Sequence, residues 1–365
     1  MLLDPITEFR HLTTDERQFR SGILGLLDYL KEIGAMGMLT SQAGGPIKDD
    51  DIQFLVDTVI SLDVTSESRM VTVSKFRGSS FRRGDHFYDI STAGLEVWPE
   101  LVPDTQKQAI DAEPLSSGVD ELDELLYGGL DQGTITMLSG PTGVGKTTTG
   151  LQFLIQAALA GKQSVLFQFE EAEWTIRDRA KAIGLPLQAA LESGELSIVE
   201  VSPDEYTVGE FEQLLREAVT DGTEVVMIDG SQGFQENLRG LADTTSALVR
   251  IGRFLRSASI TTLLINEVHN ITGDFQASEE RTSNLADNIV FLRHVEYRGE
   301  MRKVIGTLKM RTSDFERSLR ELEITADGIR VGEPLPQLRG ILTGTPDWNE
   351  DAGGTDRDLA DTDQA

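Results

Sequence analysis

The residues best able to do chemistry lie at 140–148, where Gly140-Pro141-Thr142-Gly143-Val144-Gly145-Lys146-Thr147 fits G-x-x-x-x-G-K-[ST] in full and Thr148 follows. Glycines in such a loop let backbone N–H groups converge on phosphate oxygens without obstruction from Cβ atoms. Lys146 supplies a point charge for the β- and γ-phosphates, and the Thr147 hydroxyl is suited to ligate Mg²⁺. The expectation is a nucleotide site for ATP and Mg²⁺ built on Gly140–Thr148. Asp229 follows the apolar run Glu224–Ile228, as a metal-side carboxylate at the end of a buried strand should. Glu170 and Glu171 follow the β-rich run Ser164–Phe169, where a carboxylate can orient or deprotonate a water nucleophile. The bland alternatives are a turn cap for Asp229 and a solvated helix start for the glutamates.

Such residues need a particular frame. Gly133–Ser139 reads as a short strand running into the loop, and Thr148–Ala160 carries apolar residues at helical spacing. Strand, phosphate loop and helix in that order make the motif specific. The two acidic sites then fall at the carboxyl ends of further buried strands, the edge at which open α/β sheets bind ligands.

The chain also repeats itself. Residues 75–97 align with 309–331 at a constant offset of 234, with identities at Lys75/Lys309, Arg77/Arg311, Ser79/Ser313, Phe81/Phe315, Arg83/Arg317, Ile90/Ile324, Gly94/Gly328 and Val97/Val331. Chance would supply about one or two, so duplication is the better explanation. Upstream, Leu55-Val56-Asp57 matches Leu285-Ala286-Asp287, the run Gly37–Thr40 matches Thr262–Ile265, and Leu2-Leu3-Asp4 matches Met227-Ile228-Asp229. The expected organisation is the C-terminal half of one domain without a phosphate loop (1–97), a linker (98–113), a complete domain (114–346) and an acidic disordered tail (347–365). The half domain retains Asp4, Lys75 and Arg77 but no loop of its own, which suggests a truncated duplication or a Met1 internal to a longer two-domain protein.

With these residues assembled, the sequence resembles the KaiC branch of RecA-like ATPases. The resemblance rests on SSGVDELDELLYGGLDQG before the loop, GPTGVGKTT, FEE at 169–171, VVMIDG at 225–230, RGEM at 298–301, KMRTSDFE at 309–316 and LRGILTGTP at 338–346. It implies a RecA-like α/β fold with a central, mostly parallel sheet flanked by helices, preceded by the duplicate half. The resemblance further implies a homo-oligomeric ring, a hexamer in that family. Glu170 and Glu171 then become catalytic, together with Lys146. Lys309 and Arg311 become fingers reaching the neighbouring subunit's ATP; without the family they read as solvent-facing strand side chains. Some members phosphorylate themselves on an adjacent Ser-Thr pair. Here that position reads Ser283-Asn284, leaving Ser283 as the one acceptor, with a polar loop cap as the equal alternative.

Composition sets the outer bounds. Acidic residues number 61 against 33 basic, of which nine are lysine, for a net charge of −28. This balance disfavours non-specific nucleic-acid binding, which requires clustered Lys and Arg, and suggests adaptation to high salt. Zero cysteines exclude disulfides and thiolate chemistry. The four histidines show no metal spacing and read as structural or solvated, and the three tryptophans are too dispersed for a stacking platform. No apolar run could span a bilayer and no signal peptide is visible, so the cytoplasm is the expected location. Two rival functions follow from the same motif, a RecA-like nucleic-acid motor and a nucleotide-gated scaffold with negligible turnover.

Overall fold

The computed structural model describes residues 1–6, 8–9, 15–41, 50–65, 68–103, 113–202, 206–220, 222–230, 244–268, 284–339 and 347–348. The chain divides into two units, one comprising residues 1–65 and 69–100, the other essentially from Leu101 onward. β6 includes Trp98, the first residue of the expected linker, and Leu101 is buried and groups with the second unit.

The first unit contains β1 (Leu2–Leu3), α1 (Glu16–Glu32), β2 (Met38–Leu39), α2 (Asp50–Gln53), β3 (Thr58–Val64), β4 (Arg69–Phe76), β5 (Asp85–Ser91) and β6 (Gly94–Trp98). α1 starts where Asp15, in extended conformation, accepts a hydrogen bond from the Gln18 amide, satisfying one orphan N–H of the first turn. Its Phe19 and Ile23 close over Ile6, Leu39, Ile52 and Leu55 in a small core. β1 and β2 pair in parallel, while β3–β6 form an antiparallel meander.

The second unit contains α3 (Asp120–Leu125), β7 (Ile135–Gly140), α4 (Lys146–Leu159), β8 (Ser164–Gln168), α5 (Glu173–Ala182), α6 (Leu187–Glu192), β9 (Leu196–Glu200) and α7 (Val208–Thr220). It continues through β10 (Val225–Asp229), α8 (Thr244–Ser257), β11 (Thr261–Glu267), β12 (Asn288–Tyr297), β13 (Glu300–Lys309), β14 (Arg320–Thr325) and β15 (Gly328–Pro334). One nine-stranded sheet runs in the order β15-β14-β13-β12-β7-β11-β10-β8-β9. Strands from β12 to β9 in that order are parallel, and β13–β15 add an antiparallel edge. β7 and β8 are buried along their whole length, on both faces of the sheet, so their residues do not alternate between apolar and polar as those of a half-buried strand would. α4 packs Leu151, Leu154 and Ile155 into the main core with Leu166, Met227, Leu263 and Leu292.

Asp347–Trp348 pair with Leu338–Arg339 as two short antiparallel strands, β17 and β16. The expected disordered tail therefore does not begin at 347, because the backbone there closes a two-stranded ladder; residues 349–365 lie outside the described residues.

The two units pair their equivalent strands in the same registers. Leu2↔Met38 and Leu3↔Leu39 correspond to Met227↔Leu263 and Ile228↔Leu264. Val59↔Lys75 precedes a register shift before Ile60, as Ile289↔Lys309 precedes one before Val290. Met70↔Phe87 and Ile90↔Leu95 have their counterparts in Val304↔Glu321 and Ile324↔Ile329.

Candidate active site

The phosphate loop joins β7 to α4 at the carboxyl edge of the parallel strands. Gly140 passes so close to β12 that a Cβ there would lie 2.3 Å from the Leu292 carbonyl oxygen, so only glycine fits. Gly145 occupies the left-handed region with φ +116, and its missing Cβ leaves room for Ile324 at 2.6 Å. From that turn α4 begins at Lys146, aiming its first N–H groups and the positive end of its dipole at the loop.

A cavity of about 370 Å³ opens over this loop. Thr142–Gly143, Gly145–Thr148, Glu170, Glu171 and Asp229 all line it, so the sequence-selected loop and all three carboxylates come together. Lys146 is buried and its ammonium donates to the Pro141 carbonyl at 2.9 Å. Desolvation holds the Lys146 pKa below its ordinary value, opposed by the carboxylates of Glu267, Asp229 and Glu170. Asp229 is 5% exposed. Burial pushes its carboxyl up to about 6, a hydrogen bond from the Thr147 side chain pulls it down, and Glu170 and Glu171 push it up again. A buried carboxylate hydrogen-bonded to the loop threonine is a donor pair that fits Mg²⁺, a hard cation that takes oxygen ligands and completes its shell with phosphate and water.

The two glutamates differ in their surroundings. Glu171 is tied to Arg179 on α5, Oε1 to Nη1 at 2.8 Å, while its Oε2 and the Arg179 Nε and Nη2 are buried without a hydrogen-bond partner. Glu170 is exposed at the cavity wall, with its Cγ packed near Gly230.

Lys309 and Arg311 lie elsewhere. The Lys309 ammonium donates to the Ala286 carbonyl at 2.7 Å, and Arg311 pairs with Asp287 at 3.8 Å. Asp287 also accepts from the Ile135 amide at 3.0 Å, at the start of β7. The P-loop follows Gly140, at the far end of that strand, ~17 Å away at 3.3 Å per residue. Lys309 and Arg311 therefore do not meet the phosphate loop of this chain. In the first unit Arg77 pairs with Asp57 at 3.1 Å, the counterpart of Arg311 with Asp287, while Lys75 donates to the Gln53 and Phe54 carbonyls at 2.9 and 3.2 Å rather than to Val56, the counterpart of Ala286. Ser283, with Thr282 beside it, lies outside the described residues.

Several residues at the site carried no signal in the sequence. Lys303 lines the cavity from β13, its ammonium held below the ordinary value by desolvation. His294, opposite Lys303 in the ladder, has a backbone hydrogen bond with Thr142; burial and then Lys303 lower its pKa. It thus sits against the phosphate loop. Glu267, at the end of β11, accepts a hydrogen bond from the Thr142 hydroxyl. Glu267 and His294 come from β11 and β12, which flank β7, and Lys303 from β13 beyond β12, so only the sheet order brings them to the loop. His86 is buried and accepts the Glu100 amide at 3.2 Å, a structural role as expected, and His11 and His269 lie outside the described residues.

The family model described as "ATPase: KaiC" matches residues 1–102 and 115–335. The circadian clock protein KaiC3 of Synechocystis sp. is 26% identical over 347 residues, covering 93% of this chain and 68% of that protein. The circadian clock oscillator proteins KaiC of Acaryochloris marina and Thermostichus vulcanus are each 27% identical over 338 residues, covering 90% of this chain and 64% of theirs. The chain thus spans about two thirds of the length of these relatives. No helix among the described residues is long and apolar enough to cross a membrane. The chain belongs to the KaiC ATPase family.

Proposed function

We propose that this protein hydrolyses ATP at interfaces between copies of itself arranged in a ring, each interface pairing one subunit's phosphate loop with the next subunit's Lys309 and Arg311. The observation that carries this reading is the placement of the fingers at the opposite end of β7 from their own loop. A cation that stabilises the transferring phosphoryl group must touch it, so fingers that far away serve another subunit's nucleotide. Within a site, Lys146 and the loop amides bind the phosphates, and Thr147 and Asp229 hold Mg²⁺. When bound, the ion neutralises charge on the phosphate oxygens. Glu170, unencumbered at the cavity wall, takes the proton of the attacking water, while Glu171, tethered to Arg179, fixes the loop that presents it. The matching registers of the two units support reading residues 1–97 as the second half of a duplicate domain.

The test is incubation with γ-labelled ATP, following released phosphate and labelled protein together. Glu170→Gln is expected to bind ATP normally and lose phosphate release by about 10²-fold or more, the scale of a general base. Retained turnover would eliminate Glu170 as the base. Label remaining on the protein, and lost in Ser283→Ala, would add autophosphorylation to the activity.

A further inference from the structure

Gln168 is an unusual residue for its place. It ends β8, is 2% exposed, and stands in register with Asp229 on β10. Its neighbours Phe167 and Phe169 turn to the opposite face, where both rings meet Phe211 edge-on at 5.4 and 5.1 Å. Gln168 therefore shares a face with Leu166, which packs in the core beneath α4. A leucine or methionine would suit that position, and burying an amide there is unfavourable unless both its ends are hydrogen-bonded.

Both ends are. With the amide nitrogen turned toward β10, it donates to Asp229 Oδ2 at 3.1 Å, and the amide oxygen accepts the Glu171 backbone N–H at 3.0 Å. The backbone around it is fixed too, since the Gln168 carbonyl accepts the Val201 amide at 2.8 Å and the Phe169 amide donates to the Asp229 carbonyl at 3.0 Å. One side chain thus spans the metal-side carboxylate and the loop that carries both glutamates.

We infer that Gln168 is a positioning residue that locks Asp229 and the Glu170–Glu171 loop into one rigid unit, so that the Mg²⁺ ligand and the water-activating carboxylate keep a fixed separation. This rests on the assignments of Asp229 and Glu170 made above. The Gln168 donor fixes which Asp229 oxygen faces Thr147, and its acceptor fixes the peptide from which the glutamate side chains project. Partners of this kind, one step removed from the ion, alter metal affinity or activity by about 10- to 100-fold when removed.

The experiment uses the full-length chain with Gln168→Met, which keeps the volume and lacks both hydrogen bonds, and Asp229→Asn in parallel. Fluorescent-ATP binding is titrated with Mg²⁺, and hydrogen–deuterium exchange is followed in peptides covering residues 169–172. In Gln168→Met the Mg²⁺ half-saturation is expected to rise about 10-fold. Nucleotide affinity without Mg²⁺ should stay within about two-fold, and the Glu171 amide should exchange faster. A merely structural residue would change both affinities together or neither. A wild-type Mg²⁺ response and wild-type Glu171 protection in Gln168→Met, beside a lost response in Asp229→Asn, would overturn this inference alone. A wild-type response in Asp229→Asn would overturn the metal-side assignment and this inference with it.

Discussion

Leu62 in β3 and Leu292 in β12 occupy equivalent places in two ladders of identical register, yet Leu62 is 51% exposed and Leu292 is fully buried. The same holds for Leu2 and Met38, 64% and 63% exposed, against Met227 and Leu263, both buried. The difference lies in the neighbours. β12 has β7 on its other side and α4 beneath it, whereas β3 is an edge strand among the described residues of its sheet. Strand pairing and the register shift that precedes Ile60 and Val290 are local properties, written in the hairpins themselves. Burial depends on strands and helices contributed from elsewhere, and those differ between the units.

The comparison breaks most sharply on a charge. Leu292→Asp would bury an unpaired carboxylate between β7 and α4 and is expected to prevent folding of the second unit. Leu62→Asp places the same charge at a half-exposed position and should alter stability by about 1 kcal/mol or less. Denaturant unfolding of both variants, followed by circular dichroism, checks this. Equal losses would mean that β3 is covered in solution.

How much of this could be read in the sequence follows the same division. The phosphate loop, Asp229 and the two glutamates were legible because each follows an apolar strand within a few residues, so sequence and space coincide. Lys309 and Arg311 could be named as candidate fingers only from the family resemblance, since nothing in K-x-R spacing distinguishes a finger from two exposed strand residues. Glu267, His294 and Lys303 were missed because β11, β12 and β13 reach the loop only through the order of the sheet. Gln168 was visible as one polar residue in an apolar run, but its partners Asp229 and Glu171 become neighbours only when β8 pairs with β10.

The retained Lys-x-Arg pairs give the next contrast. Arg311→Ala is expected to lower turnover by about 10³-fold, the scale of a trans arginine in phosphoryl transfer, with ATP binding little changed. Mixing it with Lys146→Ala subunits should restore activity above the weighted mean, because some interfaces then pair an intact loop with an intact finger. Strictly additive activity would argue against action between subunits. Arg77→Ala, carried by the unit without a phosphate loop in this chain, should leave turnover at the Lys146 site within about two-fold. A comparable loss there would mean that the first unit serves that site as well.

The smallest effect concerns the two aspartates that end equivalent strands. Asp229 is buried and its carboxyl is pushed up from 3.8 to about 6. Asp4 is exposed and accepts a hydrogen bond from the Thr40 hydroxyl. A carboxyl with a raised folded-state pKa binds its proton more tightly when folded, so its ionised form opposes folding. That opposition is fully present above pH 6, relaxes as pH falls through 6, and is gone below 3.8. Without nucleotide and Mg²⁺, Asp229→Asn is therefore expected to raise the thermal midpoint at pH 8 by a few degrees and by less at pH 5. Asp4→Asn should leave the midpoint unchanged at both. Such a gain beside lost Mg²⁺ binding would show Asp229 held in place for its ligand at a cost to the empty fold. A loss at pH 8 would instead make its bonds to Thr147 and Gln168 worth more than its desolvation, and the two aspartates would then differ in burial alone.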